Sequence, residues 1–140
     1  MKKTEVFFPF EPKPKGRPRF NTRTGRSYTP QETRNYEKKV AECYAEQTDD
    51  FYDCAIAVKL VFDMPIPAST SKKKKQLMAT GAIKCTKHTG DADNLAKAIL
   101  DGLNSLAFSD DCLITRLTVI KRYSTDGNVG TELTITEDVD

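Results

Sequence analysis

From Cys54 to Phe62 the chain reads Cys-Ala-Ile-Ala-Val-Lys-Leu-Val-Phe. Ile56, Val58, Leu60 and Phe62 form one alternating row, and Ala55, Ala57, Lys59 and Val61 the other. A strand that is largely apolar on both sides must be shielded on both, so it belongs in the middle of a sheet and not at its rim. Met64-Pro65-Ile66-Pro67 breaks it, because proline cannot donate to a ladder. The rest of the fold has to supply neighbours and a cover for this strand.

Two helices are the natural cover. Thr29-Pro30-Gln31-Glu32 carries three start signals: Thr29 as N-cap, Pro30 at the first helical position, and Glu32 placed for a capping box. Tyr36, Val40, Ala41 and Tyr44 give that helix an apolar side, and it ends near Thr48-Asp49-Asp50. The second helix follows Gly90. Leu95, Ile99 and Leu103, with Ala96, Leu100 and Leu106, recur at the three-and-four spacing of an apolar stripe. Asp91 is placed to cap it, and Asp93, Lys97 and Asp101 follow at spacings of four on a second face.

The remaining strands fill the sheet. Thr4 to Phe10 alternates around Val6, Phe8 and Phe10 and is closed by prolines 9, 12 and 14. Leu113, Leu117 and Val119 on one side, with Ile114 and Ile120 on the other, make a longer strand. Asp126-Gly127 then suggests an antiparallel hairpin to a partner at Glu132–Thr136, with Leu133 and Ile135 inward. Ser69 to Gly81 reads as a short helix carrying Lys72 to Lys75, either a solvated segment or an arm that orders on a nucleic-acid backbone. Ala82 to Lys87 is a weak strand. The expected class is α+β, a mixed and largely antiparallel sheet of four or five strands covered by two main helices. At 140 residues and 38% hydrophobic content, the whole of 1–140 is expected to be a single domain.

Charge is distributed unevenly. Residues 1–40 hold 11 Lys+Arg against 4 Asp+Glu, and residues 91–140 hold 4 against 10. A basic front and an acidic back point to a polyanion at one and a cation at the other. Lys13, Lys15, Arg17, Arg19, Arg23 and Arg26 alternate with Pro14, Gly16, Pro18, Phe20 and Tyr28, in a stretch too broken for a helix. Thr24-Gly25 could turn a short hairpin there. Basic groups beside aromatics on an extended backbone suit phosphate contact, although a solvated loop has the same composition. Cys43, Cys54, Cys85 and Cys112 form no Cys-x-x-Cys pair and have only His88 to share a zinc ion with, so four reduced, mostly buried thiols are expected. No apolar run approaches the ~20 residues of a spanning helix and no signal-type segment opens the chain, so no membrane association and a cytoplasmic location are expected.

Asp91 and Asp93 at a helix start, plus Asp111 beyond its end, offer up to three oxygen ligands for a hard cation such as Mg²⁺, which takes one or two carboxylates and completes its shell with water and phosphate. Lys97, one turn above Asp93, is placed to meet charge developing on a phosphate. An EF-hand loop beginning at Asp91 fails, because Ala96 occupies the turn-glycine position and Gly102 that of the last carboxylate. Carboxylates that cap the helix without binding metal remain an alternative.

Gly90-Asp91-Ala92-Asp93-Asn94-Leu95-Ala96-Lys97, then Leu100-Asp101-Gly102-Leu103 and Asp110-Asp111, resembles the signature of RusA-family Holliday junction resolvases of the phage and prophage type. Lys-Pro-Lys-Gly-Arg-Pro-Arg-Phe, Tyr-Thr-Pro and the closing Glu-Leu-Thr-Ile-Thr-Glu are similar too. His88-Thr89-Gly90 departs from the basic residues or proline often found before the first aspartate. The resemblance implies a Mg²⁺-dependent homodimeric endonuclease, with Mn²⁺ as a possible substitute, that cuts branched DNA by paired nicks in recombination and repair. It implies that Asp91, Asp93 and Asp111 are essential acids, that Lys97 is an essential lysine, and that Asp110 is the weaker of its pair. The competing readings are a DNA-binding protein without activity, and a metal-dependent nuclease or phosphatase with another substrate.

Overall fold

The computed structural model describes residues 2–16, 18–86 and 89–139. Four strands form the main sheet in the order β1-β6-β4-β5: β1 (Lys3–Phe8), β4 (Ile56–Met64), β5 (Ile114–Tyr123) and β6 (Gly130–Glu137). β4 is an interior strand, as expected, but helices cover only its Ile56, Val58, Leu60 and Phe62 row, and Lys59 of the other row is exposed; it runs parallel to β5 and antiparallel to β6, which is in turn antiparallel to β1. β2 (Arg19–Asn21) and β3 (Arg26–Tyr28) form a separate hairpin. Gly25 at its tip has φ +69°, the left-handed conformation that glycine adopts without strain.

Helices α1 (Gln31–Gln47) and α3 (Ala92–Leu103) cover one face of the sheet, and α2 (Lys72–Ala79) is short and buries no residue. Ile56, Val58, Leu60 and Phe62 of β4 meet Leu95, Ile99 and Leu103 of α3 and Val40 and Tyr44 of α1 in one buried cluster. The helices cross closely at Gly102, where an added Cβ would lie 2.9 Å from the Glu37 carbonyl and 3.0 Å from Val40. The opposite face is polar, and there Arg122 pairs with Asp63 at 2.6 Å and Glu132 at 2.8 Å. Two layers around one core are the α+β arrangement expected from the strand and helix patterns.

Several sequence expectations need correction. β5 and β6 do not form a hairpin, because β4 lies between them. The Asp126-Gly127 signal belongs to a loop closed by hydrogen bonds from Ser124 Oγ and Asn128 N to Asp126 Oδ1, at 3.1 and 3.0 Å, and it spans one strand instead of folding back. Thr29 does not cap α1. Pro30 holds the N-cap position without a side-chain bond. The segment after Gly81 is turn and bend, not strand, as far as Thr86, and Lys87 lies outside the described residues. Leu106, expected on the α3 stripe, falls beyond the helix and is 36% exposed. All four cysteines are free, but only Cys85 is buried, and Cys54 and Cys112 are exposed.

Candidate active site at the start of α3

Gly90 opens the site. At φ +81°, with an added Cβ meeting Pro14 at 3.1 Å, it turns the chain sharply into α3 against the proline-rich strap. Asp91 then sits at the N-cap with extended backbone (φ −78°, ψ 143°), and its carbonyl accepts the first helical bond from Leu95 N at 2.9 Å. Its carboxylate makes no capping bond. Asp93 follows in the first turn. Both carboxylates are exposed, and among the described residues neither takes part in a hydrogen bond or ion pair.

The turn before Asp91 is held by a residue that the motif reading missed. Lys121 Nζ, reaching from β5, donates to Gly90 O at 2.8 Å and to Thr89 Oγ1 at 3.0 Å. Its signal was present in the sequence: Lys121 continues the row of Leu117 and Val119, where a cation on an otherwise apolar row calls for a polar partner.

The strap N-terminal to the hairpin is anchored at the same place. Lys15 N donates to Asn94 O at 2.9 Å, and Gly16 N to Thr33 Oγ1 at 3.1 Å. Lys15 Nζ, expected to contact DNA, is half-buried between Glu37 at 2.5 Å and Asp101 at 3.0 Å. Burial works to lower its pKa, but the two carboxylates outweigh this and hold it above the ordinary lysine value. Asp101 also faces Lys97, whose ammonium is 3.6 Å away on a side chain 58% exposed. Four charges thus tie the strap to both helices. Lys13, Arg19, Arg23 and Arg26 are exposed, the arginines on or at the tip of the β2–β3 hairpin. Arg19 and Tyr28 are paired on it, as are Asn21 and Arg26, so all four side chains share one face. Phe20, on the other face, is 65% exposed. Arg17 and His88 lie outside the described residues.

Beside the Thr89–Gly90 turn lies a cleft of about 730 Å³, lined by Met64, Met78, Tyr123 and Pro14 with Lys74 and Lys84. Of the lysine run, Lys74 is the member that lines it. A larger concavity, about 840 Å³, lies on the open face of the sheet and contains none of the site residues.

Asp111 is elsewhere. It begins a 3-10 turn (Asp111–Leu113) just ahead of β5, whereas Lys121, beside Gly90, is near the other end of that strand. Asp110 caps the turn, accepting from Cys112 N at 3.1 Å. Hydrogen bonds from the Cys112 side chain and then its backbone hold the Asp110 carboxyl below the usual range. Among the described residues, no three His, Cys, Asp or Glu side chains lie together as a metal-binding group. One chain therefore brings Asp91, Asp93 and Lys97 to one helix start and leaves Asp111 apart.

Residues 9–136 match the family model described as Endodeoxyribonuclease RusA. A curated relative, the uncharacterized protein YqaN of Bacillus subtilis (strain 168), is 32% identical over 124 residues, which is 85% of this chain and 87% of that protein.

Proposed function

The chain belongs to the RusA endodeoxyribonuclease family, and from that premise we propose that residues 1–140 form a single domain acting as a Mg²⁺-dependent nuclease, Mn²⁺ being an alternative, that nicks four-way DNA junctions as a homodimer. We assign the reaction to Asp91, Asp93, Lys97 and Asp111, and metal binding to the three aspartates. DNA contact falls to Lys13, Arg17, Arg19, Arg23 and Arg26. Lys15 is the exception among the basic candidates, since its ammonium is already held by Glu37 and Asp101. The cytoplasm is the proposed location, in keeping with the absence of any described helix long and apolar enough to cross a membrane.

The observation that carries this reading is that Asp91, at an N-cap, leaves its carboxylate uncapped and exposed. Aspartate at an N-cap normally accepts from the helix's own free N–H groups, a contact worth about 1 kcal/mol. Here the carboxylate stands open beside Asp93, with the preceding turn fixed by Lys121, an arrangement prepared for a ligand from outside. A divalent cation there would polarise a phosphoryl oxygen and lower the pKa of an attacking water. Lys97, exposed one turn along, is positioned to meet a phosphate oxygen, and the arginine hairpin to hold the backbone of a neighbouring DNA arm.

Labelled four-way junction, duplex and single strand, each incubated with and without Mg²⁺, test the assignment. Paired nicks in the junction alone, only with the cation, are expected. Binding without cutting under every divalent cation would favour a DNA-binding protein, and equal cutting of duplex a nuclease of broader substrate.

A further inference from the structure

Beside the turn that opens α3, the two parallel strands of the sheet end together. Met64 of β4 and Tyr123 of β5 are paired in register, and both are buried. Tyr123 follows shortly after Lys121, whose ammonium holds the Thr89–Gly90 turn. These strand ends form the floor of the cleft of about 730 Å³ at that turn, a volume within the roughly 300–1,000 Å³ of sites for small organic groups. Gly90 itself lines the cleft, and the next residue is Asp91.

α2 supplies a wall. Ser71 Oγ caps it by accepting from Lys74 N at 3.3 Å. At its other end Gly81, at φ +86°, lets the chain double back, and Ile83 N donates to Leu77 O at 3.0 Å. Lys74 and Met78, one turn apart on the helix, and then Ile83 and Lys84 after the reversal, all line the cleft. Lys72 and Lys75 line a different hollow, so the helix divides the lysine run between two surfaces. Lys74, Lys84 and Glu11, which also lines the cleft, are exposed, and among the described residues no side-chain hydrogen bond or ion pair engages them. An apolar hollow with two unpaired cations suits a ligand that has an apolar body and an anionic tail. Met64 and Met78 are polarisable thioethers that pack well on an aromatic ring, lysine binds phosphate as a point charge, and Glu11 suits an N–H on the edge of a base.

We propose that this cleft receives an unpaired nucleobase of the DNA strand held at Asp91 and Asp93, with Lys74 and Lys84 on the phosphates that flank it. The base, flat and apolar on both faces, fills the hollow, and its backbone stays at the rim with the lysines. An apolar side chain of another protein would fill the hollow equally well but leave both cations without a partner. At a junction crossover stacking is already interrupted, so a base there costs least to withdraw. Seating it fixes the register of the strand, and with it which phosphate is presented to the carboxylates, while the lysines add affinity that is blind to sequence. This site rests on the nuclease reading of Asp91 and Asp93 and names what is bound beside the phosphate they attack.

Photochemical cross-linking tests the occupant. Iodouracil is placed in turn at each nucleotide around the crossover, the junction is bound by Asp91→Asn protein so that it stays uncut, and the peptides linked on irradiation are identified by mass spectrometry. From at least one position beside the cut, the base should link to Met78, Ile83 or Tyr123. Links confined to the β2–β3 hairpin, or none to the cleft from any position, overturn the proposal. A second measurement reads the lysines, whose positions are exposed. Lys74→Ala combined with Lys84→Ala should weaken junction binding about tenfold and flatten its dependence on log[salt] by about two units, one for each phosphate contact. An unchanged slope also overturns the proposal. The two failures are distinguishable: wild-type protein that links through the cleft but cuts nothing under any divalent cation refutes the nuclease reading and leaves the occupant standing, whereas wild type that cuts junctions while the cleft stays unlinked refutes the cleft alone.

Discussion

Asp91 and Lys15 look alike on paper, each a charged residue in a stretch with a functional look, yet their surroundings assign them opposite tasks. The Asp91 carboxylate is exposed and has no hydrogen bond or ion pair among the described residues. Asp91→Asn should therefore leave the melting temperature nearly unchanged and bind junction DNA at least as well as the parent, since a negative charge near phosphates is lost, while cleavage falls by orders of magnitude. Undiminished cleavage by this variant would remove Asp91 from the site. Lys15 is spent inside the protein, with side-chain exposure of 18% for itself, 21% for Glu37 and 24% for Asp101. Lys15→Ala removes the cation between Glu37 and Asp101 and leaves Asp101 only the more distant Lys97, and should destabilise the fold by about 1–3 kcal/mol. Denaturant unfolding reads this directly. A variant as stable as the parent would return Lys15 to the set of free basic groups.

At the scale of elements, the β2–β3 hairpin is the part whose form is best explained by an external partner. It presents Arg19, Arg26 and Tyr28 on one face and has no buried residue. Changing Arg19 and Arg26 together to Ala should weaken DNA binding across all sequences and flatten its dependence on log[salt] by about one unit per lost phosphate contact. Titrations at several salt concentrations check this, and an unchanged slope would make the hairpin an ordinary solvated loop. On the proposed function, Phe20, 65% exposed on the other face, would serve as an apolar wedge entering where base pairs are already unstacked. Phe20→Ala should cost more affinity for a four-way junction than for duplex, and equal losses on both would refute the wedge.

For the molecule as a whole, the resolved shifts predict how stability falls at high pH. Burial pushes the Tyr36 hydroxyl up to about 12. Burial, reinforced by the charge of Asp50, does the same to Tyr44, and Lys15 is also raised. A group whose folded value is raised contributes stability that is fully present below its unfolded value and is lost as pH rises through the folded one. All three therefore act in one direction: stability should hold up to about pH 10 and then fall towards pH 12, by a few kcal/mol in order of magnitude. Denaturant melts across that range, followed by tyrosinate absorbance, check it, and unfolding midpoints that stay level to pH 12 would contradict it.

The sequence by itself determined what depends on local periodicity and short-range chemistry. The two apolar rows of 54–62 required a central strand, the stripe of Leu95, Ile99 and Leu103 required an amphipathic helix, and Thr24-Gly25 suggested the hairpin turn; each follows from neighbours within a few residues. The spacing of Asp91, Asp93, Lys97 and Asp101 placed them on one helix for the same reason. What only the tertiary structure decided was adjacency between distant segments. An Asp-Gly turn signal says that the chain reverses, not which strand it returns beside, and β4 lies between β5 and β6, where its row of Ile56, Val58, Leu60 and Phe62 sits in the middle of the core. The pairing of Lys15 with Glu37 and Asp101, and the hold of Lys121 on Gly90, join residues 22 or more positions apart, beyond the reach of any periodicity. Asp111 is the clearest case: its motif puts it beside Asp91 in meaning, while the length of one helix and the direction of one strand put it elsewhere in space.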